Sequence, residues 1–391
     1  MKIYLFNPDT DMALANNNEN YMPPASTRRM AEDLSLLPIW YAEPGSAVLA
    51  SSSYNTDFLE EMKRLFSLSV QLVTEPEFLC YHEEIQPIPW GWNPALCKGL
   101  LKKGILEDKL PADKRLRALR ILSSRKAVDK VLDLFKEDNL CCGASYYLPD
   151  LFSCEEFVMK TNPCVLKAPW SGSGRGLMWC KGDFNKWVSG WCENILKEQD
   201  GVVGEPVYHK VKDFAMEFYS AGSGKVFFVG YSSFTTNAKG AYVGSLLASS
   251  EYIEKGLMNY VPLLKLIRIR ETLQKYLTNI FSRHYTGYFG VDMMICKDEE
   301  AKSYLIHPCV EINLRMNMGV VARIFHDNFM EHDSIGTFTI KYSSSYDELL
   351  EYHNQKIKDY PLTVNNKMLI SGYLPLVPVT PKSRYVAHIL I

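Results

Sequence analysis

The stretch from Gly287 to Gly319 constrains the chain more than any other, because it joins a strand pattern to a row of polar side chains. It holds two apolar runs, Tyr288–Ile295 and Tyr304–Leu314, on either side of a charged connection. Two such runs around a short polar segment predict a β-hairpin. Alternation along the second run predicts that Val310, Ile312 and Leu314 point to a core.

The opposite face of this hairpin is predicted to bind a metal ion. Glu311, Asn313 and Arg315 share that face, with about 6–7 Å between neighbours, and Asp292 can reach it from the first strand. Two carboxylates and an amide oxygen are ligands that Mg²⁺ prefers when it also carries phosphates. Asp292, Glu311 and Asn313 are therefore the candidate metal ligands. An ordinary sheet with one solvated face remains the alternative for these residues alone.

A second pattern, from Cys164 to Cys180, predicts a strand, a glycine-rich loop and another strand. Lys167 stands near the end of the first strand, and the loop 171–176 can bring backbone N–H groups close to phosphate oxygens. The loop is not a Walker A motif, because no Gly-Lys-Ser/Thr follows, and Leu177 replaces the last glycine of a dinucleotide-binding loop. A plain hairpin turn is the alternative.

A helix is predicted to begin near Ser123 or Ser124, with Arg125 and Lys126 in its first turn. Cations at that place oppose the helix dipole, which favours an external anion as the partner of one of them. The alternative is that both are ordinary surface side chains.

The first 110 residues favour a parallel α/β unit, since short apolar runs such as Ile3–Phe6 and Pro38–Ala42 alternate with helical spacing. Ligands of such sheets lie beyond the carboxyl ends of the strands. The polar loop Asn7–Asn20 and the aromatic stretch Trp90–Pro94 are candidates for that place, with ordinary surface loops as the alternative. Residues 111–125 are predicted to link this unit to the next domain.

Composition narrows the class of protein. A chain of 391 residues predicts two or three domains, and 47% hydrophobic with 23% charged residues is an ordinary globular balance. The net charge of −2 gives no strong field for nucleic acid or an anionic membrane. The apolar N-terminal run is too short for a signal peptide, and ten cysteines without a CxxC pair favour a reduced cytoplasmic protein.

In chain order these elements resemble the ATP-grasp superfamily, over about Ser123 to Ala322. VLKAPWSGSGRG looks like the strand lysine and the flexible loop that this superfamily places over the triphosphate. GVD, followed about nineteen residues later by VEINLR, looks like its metal site. The hinge departs from the pattern, because His209–Lys212 intervenes without glycine and Asp213 falls slightly late.

The resemblance implies an α/β (α+β) ATP-grasp fold with an N-terminal Rossmann-like pre-ATP-grasp domain. The expected parts are residues 1–115 for that domain, 116–200 for the small lobe with the glycine-rich loop, 201–335 for the large lobe with the metal site, and 336–391 for a C-terminal extension of the large lobe.

The resemblance also implies roles for particular residues. Phosphates would contact Lys126 (or Arg125), Lys167 and the loop residues Ser171, Gly172, Ser173, Gly174 and Gly176. The hinge Val202–Val207 would hold adenine, with Glu205 at its edge and Val207 beside it, and Asp213 would bind the ribose. Asp292, Glu311 and Asn313 would hold one or two Mg²⁺, or Mn²⁺ in its place. Arg315 would face the transferred phosphate or the acyl group, and Lys167 and Arg315 are the predicted catalytic residues.

The activity implied is that of an ATP-dependent carbon–nitrogen ligase, which activates a carboxylate as an acyl phosphate and joins it to an amine, releasing ADP and phosphate. The expected partners are small-molecule or peptide substrates, without nucleic acid or membrane, and a homodimer is compatible. Three alternatives stay open: a kinase-like phosphotransferase, a non-catalytic nucleotide-binding regulator, and an unrelated globular protein with chance matches.

Overall fold

The structure is a computed structural model that describes residues 1–50, 55–80, 84–172, 176–237 and 240–391. Within these residues no helix is both long enough and apolar enough to cross a membrane.

The N-terminal unit is a four-stranded parallel sheet with helices around it. Its strands are β1 (Lys2–Leu5), β2 (Ser46–Ala50), β3 (Val70–Thr74) and β4 (Gln86–Pro89), in the order β3-β2-β1-β4. Its helices are α1 (Thr10–Asn16), α2 (Ala25–Asp33), α3 (Asn55–Leu65), α4 (Glu75–Cys80) and α5 (Pro94–Lys102). The predicted parallel α/β unit is therefore confirmed.

Three local predictions for this half of the chain are wrong. The loop after β1 contains α1, and the linker predicted at 111–125 contains helix α6 (Asp113–Leu122). Residues 37–40 form a 3-10 helix instead of the strand predicted at Pro38–Ala42. Trp40 explains that difference, since it is 1% exposed and its indole N–H donates to the Leu376 carbonyl at 2.7 Å, a partner distant in sequence.

A second unit forms an antiparallel sheet with two helices on one face. After α7 (Val128–Leu132) come β5 (Tyr146–Leu148), α8 (Leu151–Lys160), β6 (Cys164–Lys167), β7 (Leu177–Cys180), α9 (Lys186–Gln199) and β8 (Val202–Pro206). The strand order is β5-β8-β6-β7. The sheet thus extends past the limit expected at residue 200, because β8 pairs with both β5 and β6.

The third unit is an eight-stranded sheet. Its elements in chain order are β9 (Lys210–Ala221), β10 (Val226–Thr236), β11 (Tyr242–Leu247), α10 (Ser250–Leu257), α11 (Leu263–Phe281), β12 (Thr286–Asp298), β13 (Ser303–Asn313), α12 (Met318–Phe329), β14 (Gly336–Tyr342), α13 (Tyr346–Asp359), the two-stranded β15 (Thr363–Asn365) and β16 (Met368–Ser371), β17 (Tyr373–Pro375) and β18 (Tyr385–Leu390). The order is β13-β12-β9-β10-β11-β14-β18-β17, so residues after 335 extend the large sheet.

The hairpin predicted at the metal site is present as β12 and β13, paired antiparallel. Ile312 and Leu314 are buried in the core as expected. The alternation fails at its start, because the register shifts between Asp292 and Met294; Cys309 is fully buried, whereas Val310 is only half-buried.

One apolar core joins the N-terminal unit to the large sheet. Trp40 and Phe66 from the N-terminal unit pack edge to face against Phe329 of α12. Strands from the C-terminal extension contribute Leu374 and Ile389 to the same cluster. This packing brings the carboxyl ends of β1 and β4 next to the end of β13: the Met316 N–H donates to the Trp90 carbonyl at 2.9 Å.

Candidate functional site

Two carboxylates and an amide meet on one face of the large sheet. Asp292 of β12 lies directly opposite Glu311 of β13, and Asn313 lies opposite Gly290 one step further along the same face. Burial raises the pKa of Asp292 well above its usual value, and the charges of Glu311 and Glu217 raise it further. A hydrogen bond from Asn313 acts against this increase. The three predicted ligands are therefore neighbours, in a place with excess negative charge.

A further carboxyl, Glu217 of β9, lies on the same face and was missed in the sequence. It is 1% exposed and accepts hydrogen bonds from Ser232 Oγ at 2.6 Å and Asn317 Nδ2 at 3.0 Å. Burial raises its pKa to about 7 despite these two bonds. Its sequence signal was a lone acid in the apolar run FAMEF, in register with Gly290.

Gly290 and Gly319 make room for this carboxyl. A Cβ at Gly290 would lie 2.5 Å from Glu217 Oε2, and one at Gly319 would lie 2.2 Å from Glu217 Oε1. Both distances are shorter than real Cβ contacts, so a side chain at either position would force the Glu217 carboxyl to move. The sequence therefore uses two glycines to let the backbone pass close to a buried acid.

The donor set at this place fits a metal ion that keeps other ligands. Among the described residues, no three His, Cys, Asp or Glu side chains converge so as to hold a metal by themselves. Two carboxylates and an amide would suit Mg²⁺, which usually completes its shell with water and phosphate oxygens. Burial and the neighbouring carboxylates raise the pKa of Asp292, and a divalent cation bound there would favour its charged form.

Lys167 and Glu205 form a buried ion pair on the small sheet. Lys167 ends β6, Glu205 lies on the adjacent β8, and Nζ is 2.5 Å from Oε2. The two residues are 6% and 2% exposed. Glu205 Oε1 has no hydrogen-bond partner in the part of the chain that the structure describes.

His307 lies close to this pair and was also missed. It is fully buried, and neither ring nitrogen has a partner among the described residues. Burial lowers its pKa to about 3, with the Lys167 charge as the next cause, so the ring is neutral. It packs edge to face on Tyr208, with 5.3 Å between ring centroids, and a Cβ at Gly143 would lie 2.8 Å from its Nε2.

Arg125, and not Lys126, reaches the glycine-rich loop. The Arg125 guanidinium donates to the Ala168 carbonyl at 2.7 Å and Ser171 Oγ at 2.5 Å, and forms an ion pair with Glu311 at 2.9 Å. Lys126 is exposed, and its Nζ lies 3.6 Å from the ring centroid of Tyr147. Tyr147 pairs with Val203, so it shares the sheet face of Lys167 and Glu205.

The described part of the loop ends at Gly172 and resumes at Gly176. Gly172 lies against Asp11, since a Cβ there would be 2.7 Å from Asp11 Oδ2. Gly176 has a φ of +68°, which favours glycine, and its carbonyl accepts from the Ala168 N–H at 2.8 Å. The predicted phosphate contacts Ser173 and Gly174 fall outside the described residues.

Arg315 is bound by an acid from the N-terminal unit. Its Nε donates to Asp11 Oδ1 at 2.9 Å and its Nη2 to Asp11 Oδ2 at 2.6 Å. Nη1 donates to the Met316 carbonyl at 3.1 Å. A guanidinium has five N–H donors, and these contacts use three of them. One N–H of Nη1 and one N–H of Nη2 remain on the outer edge.

Asp213 and Val207, the residues predicted beside ribose and adenine, already have hydrogen-bond partners. The Asp213 carboxylate already accepts from Lys210 Nζ at 2.5 Å and Thr236 Oγ1 at 2.9 Å. The Val207 N–H donates to the Pro163 carbonyl at 3.1 Å, so that donor is in use. The structure thus pairs Lys167 with Glu205, Arg125 with Glu311 opposite Asp292, and Arg315 with Asp11. Asp213 lies on the same sheet face as Glu217, whereas Lys126 is exposed.

Neither family models nor curated protein sequences match this sequence. Solved structures, in contrast, are similar to this chain in fold. A biotin carboxylase from Campylobacter jejuni, in a β-γ-ATP complex, is 12% identical with a TM-score of 0.52, over 100% of this chain and 86% of the other. The biotin carboxylase domain of Hydrogenobacter thermophilus 2-oxoglutarate carboxylase, a dimer with MgADP, ADP and bicarbonate, is 12% identical with a TM-score of 0.51, over 100% and 85%.

At such identity the likeness establishes the fold alone. The likeness spans the whole of this chain. Within the chain, the strand with Lys167, the glycine-rich loop and the carboxylate hairpin follow one another in the expected order. The chain therefore has the fold of these proteins, the ATP-grasp fold.

Proposed function

We propose that this protein is an ATP-dependent ligase, which activates a carboxylate as an acyl phosphate and joins it to an amine, with release of ADP and phosphate. The observation that carries the proposal is the set of three buried or part-buried cations, Lys167, Arg125 and Arg315, whose charges lie near the carboxyl pair Asp292 and Glu311. A triphosphate needs cations and a metal site together, and a ligase needs a further cation for the acyl group.

ATP and one or two Mg²⁺, or Mn²⁺, are the proposed cofactors. The two similar structures hold adenine nucleotides, and one of them holds MgADP and bicarbonate. Lys167 and Arg125 would bind phosphates together with the loop Ser171–Gly176, and Lys126 stays a candidate at the edge. Glu205 and Val207 would adjoin adenine, Asp213 the ribose, and Asp292, Glu311 and Asn313 the metal. The metal supplies charge neutralisation at the transferred phosphate.

Phosphoryl transfer depends mostly on positioning and electrostatic stabilisation, which are the contributions these side chains offer. Lys167 and Arg125 would hold the phosphates still while the substrate carboxylate attacks. Arg315, kept in place by Asp11, would present its outer edge to the carboxylate. The glycine-rich loop would exclude water, which otherwise hydrolyses an acyl phosphate before the amine displaces phosphate.

The setting of the reaction is also a proposal. All ten cysteines are free thiols, which supports a reducing compartment, the cytoplasm. Substrates would be small-molecule or peptide carboxylates and amines, and a homodimer and the domain limits given above stay predictions. Nucleic acid is not expected as a partner, because the net charge is −2.

The first test is thermal unfolding with and without Mg²⁺ plus a non-hydrolysable ATP analogue. A ligand at about a hundred times its Kd adds about 2.7 kcal/mol, which appears as a rise of several degrees. The rise should depend on Mg²⁺ and vanish in Lys167→Ala. Lys130→Ala is the matched control, since Lys130 is exposed on α7, and it should show the wild-type rise. No rise at saturating analogue would refute the proposal.

The second test separates ligase from kinase chemistry. Acids and amines are screened for ADP release, and separate reactions without amine receive hydroxylamine, which traps an acyl phosphate as a hydroxamate. ADP release that requires both an acid and an amine supports the ligase. A stable phosphorylated product formed without an amine would instead indicate a phosphotransferase. Glu311→Gln should abolish turnover, and near-wild-type activity in this variant would overturn the metal assignment.

A further inference from the structure

Arg125 has a contact set that joins two parts of the site. The residue is 4% exposed, and its guanidinium binds the Ala168 carbonyl, Ser171 Oγ and, through Nη2, the Ser171 carbonyl at 3.1 Å. The same Nη2 lies 2.9 Å from Glu311 Oε1. One side chain therefore holds both the start of the glycine-rich loop and a proposed metal ligand.

The backbone fixes Arg125 to the loop side of this bridge. Ser124 caps the 3-10 turn that contains Arg125, and the Arg125 N–H donates to the Pro169 carbonyl at 2.9 Å. Glu311 belongs to β13 of the large sheet, and the helix that follows Arg125, α7, packs in the same core as β13. The ion pair with Glu311 is the part of this contact set that a ligand at Glu311 would change.

A carboxylate paired with a guanidinium is a poor ligand for a divalent cation. The metal ion would have to share Glu311 with a buried positive charge a few ångströms away, and like charges at that distance repel strongly. Phosphate oxygens offer the guanidinium an alternative partner of the same geometry, since Arg binds phosphate and carboxylate with the same planar fork.

We propose that Arg125 is a positioning residue that couples the divalent-metal site to the nucleotide and the glycine-rich loop, by exchanging its partner Glu311 for phosphate. Without nucleotide, Arg125 neutralises Glu311 and opposes the metal. With nucleotide, Arg125 turns to the phosphates while it keeps its loop contacts, and Glu311 is released to the metal. This inference rests on the proposed nucleotide site and adds a coupling to it: the metal and the nucleotide each increase the affinity of the protein for the other.

The test compares wild type, Arg125→Gln and Arg117→Gln in two separate titrations. Mn²⁺ binding without nucleotide is measured by electron paramagnetic resonance, and binding of the non-hydrolysable ATP analogue is measured in the presence of a chelator. Arg117 is exposed on α6 and serves as a control with the same change of charge. Circular dichroism and urea unfolding establish that each variant is folded.

Arg125→Gln is expected to change the two affinities in opposite directions. Arg125→Gln should bind Mn²⁺ alone about tenfold more tightly, because Glu311 has lost its competing cation, and should bind the metal-free analogue at least tenfold more weakly. Arg117→Gln should match wild type in both. A merely structural role of Arg125 would weaken both affinities, and that outcome overturns the inference. Unchanged or weaker Mn²⁺ binding overturns it too, as does tighter Mn²⁺ binding with an unchanged affinity for the analogue.

Two further comparisons cover the cases in which Arg125→Gln does not fold or wild type binds no nucleotide. If Arg125→Gln does not fold, Arg125→Lys retains the charge but cannot span both the loop and Glu311, and it should show the same two opposite shifts, several-fold in size. Identical affinities in Arg125→Lys and wild type would then overturn the inference. If wild type binds Mn²⁺ but no adenine nucleotide at any metal concentration, the proposed function itself fails, whereas the Mn²⁺ titration still reports on the Arg125–Glu311 contact.

Discussion

The site has two parts, a hinge end around Lys167 and Glu205 and a metal end around Asp292 and Glu311, and their buried charges are balanced differently. At the hinge end, one cation and one anion, Lys167 and Glu205, sit on adjacent strands of the same sheet and pair with each other. At the metal end, Arg125 and Arg315 are paired with Glu311 and Asp11 from other units of the fold. Asp292 and Glu217 are left without a salt bridge in the part of the chain that the structure describes.

Burial raises the pKa of both Asp292 and Glu217. Arg315 acts against this rise at Asp292 but is itself paired with Asp11, and at Glu217 only the hydrogen bonds from Ser232 and Asn317 act against it. At the hinge end the two charges balance each other, whereas at the metal end burial favours the protonated form of two carboxyls, and a bound cation would favour their charged form. Three changes test this contrast, taken from the largest expected effect to the smallest.

The largest effect is expected at the hinge. Lys167→Met leaves Glu205 buried without its cation, and breaking a buried pair in this way costs about 3–5 kcal/mol. Removing both charges, in Lys167→Met with Glu205→Gln, should restore more than half of that loss. Urea unfolding of the nucleotide-free protein measures both variants. Equal losses of stability in the single and the double variant would show that the charge of Glu205 does not depend on Lys167 for its stability in the fold.

The second effect is a pH dependence at Glu217. The folded protein holds this proton up to about pH 7, whereas an unfolded glutamate releases it near 4.5. Between these values the folded state binds more protons, so its stability falls as pH rises and stays lower above about 7. Glu217→Gln keeps both hydrogen-bond partners and removes this loss. It should exceed wild type by up to about 3 kcal/mol at pH 8, and by little at pH 4.

The measurement is urea unfolding from pH 4 to 8 with a chelator present, so that no metal supplies the missing charge. The difference between variant and wild type isolates Glu217 from other titrating groups. Two stability curves that stay parallel over this range would contradict the raised pKa.

The smallest effect is expected at the contact between the N-terminal unit and Arg315. Asp11→Asn removes the charge from a bidentate pair whose side chains are 20% and 15% exposed, and charge-assisted bonds of this kind contribute about 1–2 kcal/mol. Asp9→Asn is the matched control, because its carboxylate forms no salt bridge with the described residues and burial already raises its pKa.

In this control we expect a change in stability of less than about 0.5 kcal/mol. Chemical unfolding under identical conditions compares the two variants. If Asp9→Asn proved the more damaging, Arg315 would not depend on Asp11 in the way the geometry indicates.

The fold and the order of the site elements could be predicted because their signals are local. The hairpin β12–β13 and the parallel N-terminal sheet follow from alternation and from apolar runs, and both are present. Trp40 shows where this reasoning fails: its segment is apolar enough for a strand, but packing on Phe66 and a bond to the Leu376 carbonyl decide otherwise.

The sequence by itself determined which chemistry the cleft can hold, because strand alternation places Asp292, Glu311 and Asn313 on one face and Lys167 ahead of a glycine-rich loop. Only the tertiary structure decided the partners. Arg125 meets Glu311, Asp11 meets Arg315 across 304 positions, and Glu217 fits between two glycines of other segments. Ion pairs and burial depend on distances between elements far apart in the chain, and no local pattern of residues encodes those distances.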